Sequence, residues 1–499
     1  MKCLVFRVQY LLMEFIKRLD CVSSAPMNNL KRQLLIWLPP VLALLIGWIN
    51  PMGFPMNVSF TLAIMVWMLS WWLMETVPMA VTALLPVVLF PLFGISSMEQ
   101  ACAPYGDKYI FLFLGGFLLA LALEKSGLHK RFSLSLVMIT GNSAKRIILG
   151  FMIASWFISM WISNTATTLM MFPIALAVSN LFDQPEEIHK KSIRNFRVSM
   201  FLGIAYASSI GGMATIIGTP PNAAAVGILN KTFGREITFT DWMLYGFPFS
   251  LALLLLAYWA MTSFIFPVKT GKFDKGHEFI SEELRKMGPW KTNEKRIVWV
   301  FSLAIIMWLT EGIIRSVFPG YPISDVWIAM VAGISLFLIQ AEKDQPILQW
   351  EDTKNLPWGI LLMFGGGLSM AMAFKESGAL KMLTDSLAML SNLSDSVYLM
   401  LLTGIGLLLT AFMSNLAMVT LFVPVVAALA VNRGIDPLVF AIPVTLSASC
   451  DFMFPMSTPP NAIAFSSGHI RSAEMLKAGL VLNLISFLLL VGIICLNFI

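Results

Sequence analysis

The chain has 499 residues, of which 58% are hydrophobic and 12% charged. Soluble domains carry roughly a quarter of their residues as Asp, Glu, Lys and Arg, so this chain has too little charge to cover a solvated surface. An ordinary soluble enzyme is excluded, and most of the surface must face lipid. The net charge of +6 is spread through connectors instead of clustering with aromatics, so nucleic acid is not an expected partner. The five cysteines form no CxxC-type spacing, and the four histidines fall in polar connectors without a second ligand at helical spacing. No disulfide framework, transition metal or cofactor is expected.

Residues 1–32 interleave Lys2, Arg7, Glu14, Lys17 and Arg18 with apolar residues. They lack the uninterrupted apolar core and cleavage site of a signal peptide, and are read as a cytoplasmic N-terminal segment without assigned function. A crossing of the hydrocarbon core needs about 20 apolar residues. Runs read as crossings lie near 33–50 (within a first unit, 33–54), 55–74, 76–95, 105–124, 198–217, 243–266, 294–314, 323–340, 357–374, 438–456 and 475–498. Two further stretches, 147–180 and 397–431, carry polar residues at their middle. Each is too long for one helix and too short for two full crossings, so each is read as a re-entrant hairpin. The expected fold is an all-α polytopic membrane protein with about eleven transmembrane helices and two hairpins.

Cytoplasmic connectors are enriched in Lys and Arg. With the N-terminus inside, 27 of the 34 basic residues fall on inner connectors and 7 outside. This predicts a cytoplasmic N-terminus and an external C-terminus, in a plasma (bacterial inner) membrane.

The chain also matches itself. GGFLLALALEKSG beginning at Gly115 aligns with GGLSMAMAFKESG beginning at Gly366, an offset of 251. Ser163-Asn164 aligns with Ser414-Asn415, and Pro173 with Pro424, at the same offset. Thr219-Pro220-Pro221-Asn222-Ala223 aligns with Thr458-Pro459-Pro460-Asn461-Ala462 at 239. The first copy spans 55–266 with an inner hairpin, a cytoplasmic connector follows at 267–293, and the second spans 294–499 with an outer hairpin. Five crossings per copy would invert the second relative to the first, an arrangement recurrent in secondary transporters. The glycines at 115, 116 and 365 to 367 are read as close helix contacts.

Each copy has two expected helix breaks: the hairpin tips, SMWISNTATT from Ser159 and TAFMSNLAMVT from Thr410, and the motifs GTPPNA from Gly218 and STPPNA from Ser457. Proline pairs interrupt a helix. The half-helix starting there presents its positive dipole end, which suits an anion, while freed carbonyls and hydroxyls suit Na⁺. Ser159 and Ser163 are spaced by one helical turn, as are Thr410 and Ser414. One Na⁺ is assigned to Ser159, Ser163, Asn164 and the Gly218 carbonyl, and a second to Thr410, the Met413 carbonyl, Asn415 and Ser457. Asn164, Thr165, Thr219, Ser414, Asn415 and Thr458 are assigned to carboxylate oxygens of a substrate. The motifs contain no Lys or Arg, so a dianion would depend on bound cations, and Na⁺ is expected as the coupling ion. Glu75, Glu311 and Asp451 lie in or near apolar segments, where an ionisable residue is a functional suspect. Glu75 and Glu311 are placed at the interface, and Asp451 deeper, where it would tune a cation or take a proton.

WISNTATT at 161–168, GTPPNA at 218–223 and SCDFMFPMSTPPNA at 449–462 resemble the paired signatures of the divalent anion:sodium symporter family, from about residue 34 to the end. The resemblance implies a homodimer with scaffold and transport domains and elevator-type movement of the latter. The family's sodium and substrate positions coincide with the assignments above. One departure is Leu416, where the family usually has Thr after the second Ser-Asn. The expected function is Na⁺-coupled symport of a C4-dicarboxylate such as succinate, malate or fumarate. The alternatives are sulfate or tricarboxylate (citrate) symport, Na⁺-independent dicarboxylate exchange and, from another class, a membrane-embedded enzyme. An enzyme is disfavoured because no nucleophile, base or metal cluster adjoins the polar sites.

Overall fold

The computed structural model describes residues 29–50, 53–74, 76–181, 190–268, 274–318, 320–321, 323–341, 345–379, 382 and 393–498. Most of the N-terminal segment, and Glu75, lie outside them. Among the described residues the regular structure is helical, apart from an isolated bridge between Gln340 and Pro346.

Among the described residues six helices are long and apolar enough to cross a bilayer, including Met56–Met74, Trp358–Ser377, Asn415–Asn432 and Ser472–Cys495. Thr292–Leu309 and Glu311–Val317 make a seventh if taken as one span bent by 70°. Several expected crossings take other forms. The stretch 76–95 is two short helices, Met79–Thr82 and Leu85–Leu92, because Pro78, Pro86 and Pro91 repeatedly remove backbone donors. The run 198–217 is helical only to Gly212, and 438–456 only to Ala448. Glu311, placed at the interface from sequence, is buried at the bend, 2.6 Å from Arg315.

Each stretch read as a hairpin is a pair of helices around a short break. Ala144–Ser159 and Asn164–Asn180 make the inner one, and Asp395–Thr410 and Asn415–Asn432 the outer one. The basic connector between Lys125 and Arg146 is not a plain loop but holds the helix Leu128–Thr140. Leu128, Arg131, Leu134 and Val137 are buried along it, a three-residue spacing that gives one covered face. The connector 267–293 contributes another helix, Asp274–Lys286, which packs on Leu128–Thr140.

Close helix contacts appear at the repeated glycines. A Cβ on Gly115 would lie 2.5 Å from the Ala329 backbone, and one on Gly366 would collide with the Ala83 carbonyl. Each repeat thus sets its Gly-Gly helix against the short apolar helix of the other, which requires a residue without a side chain. The half-helices cross over in the same way. Pro220–Phe233 packs on the outer hairpin arm Asn415–Asn432, and Pro459–Ser466 packs on the inner arm Asn164–Asn180.

Ion pairs between connectors sort into two groups. Lys125–Asp352, Lys130–Glu283, Arg131–Glu294 and Arg194–Glu474 join segments that the basic-residue count places inside. Lys108–Glu236, Arg235–Asp436 and Arg433–Asp395 join segments it places outside. Each of these seven pairs links connectors of one group.

Candidate cation and anion site

Four interruptions of helical structure build the site. In the first repeat the inner hairpin breaks between Ser159 and Asn164, and the chain is non-helical from 213 to 219 before Pro220–Phe233 begins. In the second, the break runs from Thr410 to Asn415 and the non-helical stretch from 449 to 458.

Ser159 ends its helix fully buried, and its Oγ donates to Asn164 Oδ1 at 2.7 Å. A methyl group on Gly212 would fall 2.5 Å from that Oδ1 and 3.1 Å from the Gly218 carbonyl oxygen. Ser159, Asn164 and the Gly218 carbonyl are therefore brought together, with Gly212 giving the space. The hairpin tip is tied to the break by Thr215, whose Oγ1 donates to the Met160 carbonyl at 2.6 Å. In the second repeat, Thr410 Oγ1 lies 2.9 Å from Asn415 Oδ1 and 2.5 Å from the Ala448 carbonyl. Met413 and Ser457 are half-buried, and the Ser457 hydroxyl donates to the Phe454 carbonyl at 2.7 Å.

Ser163 and Ser414 stand differently from their expected placement. Helix ends at Ser159 and at Thr410, so neither serine continues a hydroxyl stack by one turn. Each instead caps the next helix, Ser163 Oγ accepting from Ala166 N and Ser414 Oγ from Ala417 N, both at 3.2 Å. Such caps satisfy one of the orphan donors of a helix start. By helix geometry the N–H groups of the first residues, Asn164 with Thr165 and Asn415 with Leu416, have no intrahelical acceptor. The TPPN half-helices have fewer donors to offer, since their first two residues are proline and Asn222 N is directed at the Thr219 carbonyl. Thr219 and Thr458 sit buried at those two helix starts.

Two residues not assigned from sequence hold the breaks open. Asn222 Nδ2 donates to the carbonyls of Gly212 and Thr215 at 3.0 and 2.8 Å. Asn461 Nδ2 donates to those of Asp451 and Phe454, both at 3.1 Å. The Oδ1 atoms of both asparagines are buried without a hydrogen-bond partner. Their signal was present, since the Asn stands three residues after the Thr in both TPPN motifs.

A cleft of about 470 Å³ reaches the inner tip, lined by Ser163, Thr165 and Thr167 on one side and by Glu124, His129 and Leu356 on another. No Lys or Arg lines it. Burial pushes the His129 imidazole below its ordinary value, against the bond with the Leu123 carbonyl, and so disfavours a positive charge there. The pocket thus offers hydroxyls and amides but no fixed positive side chain.

Residues 29–498 match the family model for the sodium:sulfate symporter transmembrane region. A sodium-dependent dicarboxylate transporter SdcS of Staphylococcus saprophyticus is 38% identical over 441 residues, covering 87% of this chain and 85% of that protein. The SdcS of Staphylococcus aureus is 38% identical over 464 residues, 92% of this chain and 89% of that protein. Among solved structures, the Alcanivorax borkumensis YdaH transporter superposes with a TM-score of 0.51 at 16% identity, covering 82% of this chain and 88% of that one. Neisseria gonorrhoeae MtrF gives 0.53 at 12% identity, covering 82% and 84%. At those identities the likeness is one of fold. With its paired Ser-Asn tips, its paired TPPN breaks and a family match along nearly all of its length, this chain belongs to the sodium:sulfate symporter family, the divalent anion:sodium symporters that its signatures resemble.

Proposed function

We propose that the chain is a secondary active transporter that couples inward Na⁺ movement to uptake of a C4-dicarboxylate. The observation that carries this is the duplicated hydroxyl–amide pair, Ser159 with Asn164 and Thr410 with Asn415, each beside a helix break and in motifs without Lys or Arg. Oxygen-rich cages of this kind suit a hard monovalent cation. The 38% identical SdcS proteins are named for sodium-dependent dicarboxylate transport, which favours succinate, malate or fumarate over sulfate or citrate.

The first Na⁺ is held by Ser159, Asn164 and the Gly218 carbonyl, with Ser163 fixing the tip, and the second by Thr410, Asn415, the Met413 carbonyl and Ser457. The dianion lies between the two tips, accepting from Asn164, Thr165, Thr219, Ser414, Asn415 and Thr458. Magnitudes explain the coupling. A helix start stabilises an anion by roughly 0.3–2 kcal/mol, whereas a cation 4 Å away contributes on the order of 4 kcal/mol at an effective dielectric of 20. The dipoles are too weak to hold a dianion alone, so the anion follows the cations.

The cleft at the inner tip shares a side with Lys125, Lys130 and Arg131, the ion pairs keep the two groups of connectors apart, and the Lys and Arg excess on one group supports a cytoplasmic N-terminus and external C-terminus. On that topology the cleft opens to the cytoplasm. Eleven crossings, an inverted repeat, a homodimer and elevator movement of a domain carrying both hairpins complete the reading, the last two on family resemblance.

The test is uptake of labelled succinate into proteoliposomes with and without an inward Na⁺ gradient, with citrate and sulfate as competitors. Uptake should require the gradient and be displaced by malate and fumarate. Equal uptake without Na⁺ would sink the coupling, and displacement by sulfate or citrate alone would move the substrate class.

A further inference from the structure

Asp451 is fully buried, and among the described residues neither carboxylate oxygen has a hydrogen-bond partner. Leaving such a group bare inside a protein is costly unless it is paired or binds a metal ion. Its place in the fold indicates what pairs it. The offset that aligns the TPPN motifs, 239, sets Asp451 on Gly212. The bonding agrees, because Asn461 Nδ2 donates to the Asp451 carbonyl as Asn222 Nδ2 does to that of Gly212. Gly212 is the residue whose missing side chain would point at Asn164 Oδ1 and the Gly218 carbonyl, the heart of the first cage. A side chain at the matching position of the second repeat therefore starts toward the second cage. The Asp451 carboxyl lies beside the Ser457 side chain, whose own proton is given to Phe454 O instead. Three residues earlier, the Ala448 carbonyl receives Thr410 Oγ1.

We propose that the Asp451 carboxylate is a direct ligand of the cation at the second site, making the two sites chemically unequal: a neutral cage at the inner tip and an anionic one at the outer tip. Carboxylate ligands raise affinity for hard cations by their charge, so the second site fills at the lower Na⁺ concentration. The same charge repels a dicarboxylate until the cation is bound, which orders the binding steps. The inference rests on the assignment of Thr410 and Asn415 to that cation.

The test compares Asp451→Asn, Asp451→Gly and Asn415→Ala with the wild-type protein in proteoliposomes. Loss of a supporting group outside a metal's ligands already costs about 10–100-fold in affinity. Both Asp451 variants should therefore raise the Na⁺ concentration for half-maximal succinate uptake by about tenfold or more. Half-saturation by succinate at saturating Na⁺ should stay within about twofold. Wild-type Na⁺ dependence in both Asp451 variants, with a raised requirement in Asn415→Ala, would overturn the inference and leave the cation site standing. Wild-type dependence in all three would overturn the site itself. A measurement on the wild-type protein covers the case of variants that do not fold: its Na⁺-minus-K⁺ infrared difference spectrum, without substrate, should show a shifted carboxylate stretch, and a spectrum without one would overturn the proposal.

Discussion

Leu416 occupies on the outer hairpin the place that Thr165 holds on the inner one, 251 residues earlier. Thr165 lines the inner cleft, whereas Leu416 is 7% exposed and its carbonyl accepts Thr420 Oγ1. Its backbone N–H keeps a donor at the outer tip, but the hydroxyl is lost. A net hydrogen bond is worth about 1 kcal/mol, so Leu416→Thr should lower the half-saturation concentration for succinate by roughly fivefold. Uptake kinetics at saturating Na⁺ measure this, and an unchanged value would place the substrate away from residue 416. Residue types were readable in the sequence here, and geometry was not. One-turn spacing joins Ser159 to Ser163 only if the helix runs through, and it stops because Ser163 finds a better acceptor role at the next helix start.

At the scale of elements, the helix Leu128–Thr140 shows how a charged residue becomes part of a core. Arg131 donates to Glu294 at 3.2 Å and to the Gly288 and Met287 carbonyls at 2.9 and 3.1 Å, with its guanidinium 5.3 Å from the Trp290 ring. Both members of the ion pair are buried. Removing one partner of such a pair costs roughly 3–5 kcal/mol because the other charge is stranded, whereas replacing both by apolar residues is often neutral. Arg131→Met should therefore lower the melting temperature in detergent more than the double variant Arg131→Met with Glu294→Leu. The reverse order would show that the arginine acts through its carbonyl bonds instead. This helix escaped the sequence reading because Lys125, Lys130, Arg131, Lys145 and Arg146 make 125–146 look like a solvated connector, while the spacing of Leu128, Leu134 and Val137 carried the opposite signal. The helix breaks at 160–163 and 411–414 were legible because length and hydropathy conflict there, and only an interruption resolves the conflict. The break within 76–95 was not legible because mean hydropathy does not register three prolines, nor were the ends at Gly212 and Ala448, because apolar residues continue past them through turns and irregular chain.

Taken whole, the molecule distributes its two tasks differently between the repeats. On the proposed assignments each cation cage is drawn from one repeat, Ser159, Asn164 and Gly218 in the first and Thr410, Asn415, Asp451 and Ser457 in the second. The proposed anion site between the tips draws on both, since each half-helix rests on the hairpin arm of the other copy. Two chains covering 1–268 and 269–499 should therefore give no Na⁺-driven succinate uptake when produced separately and regain it when produced together. Activity in either fragment alone would contradict the shared anion site.

The crossed packing also bears on ancestry. If the repeat is inverted as proposed, a half-length forerunner would have carried a complete cation cage and half of an anion cradle, and would have worked only by meeting a second copy of itself inserted the other way up. On the same reading, fusion would have freed the halves to diverge, and a glycine in one copy aligned with an aspartate in the other is a mark of that freedom.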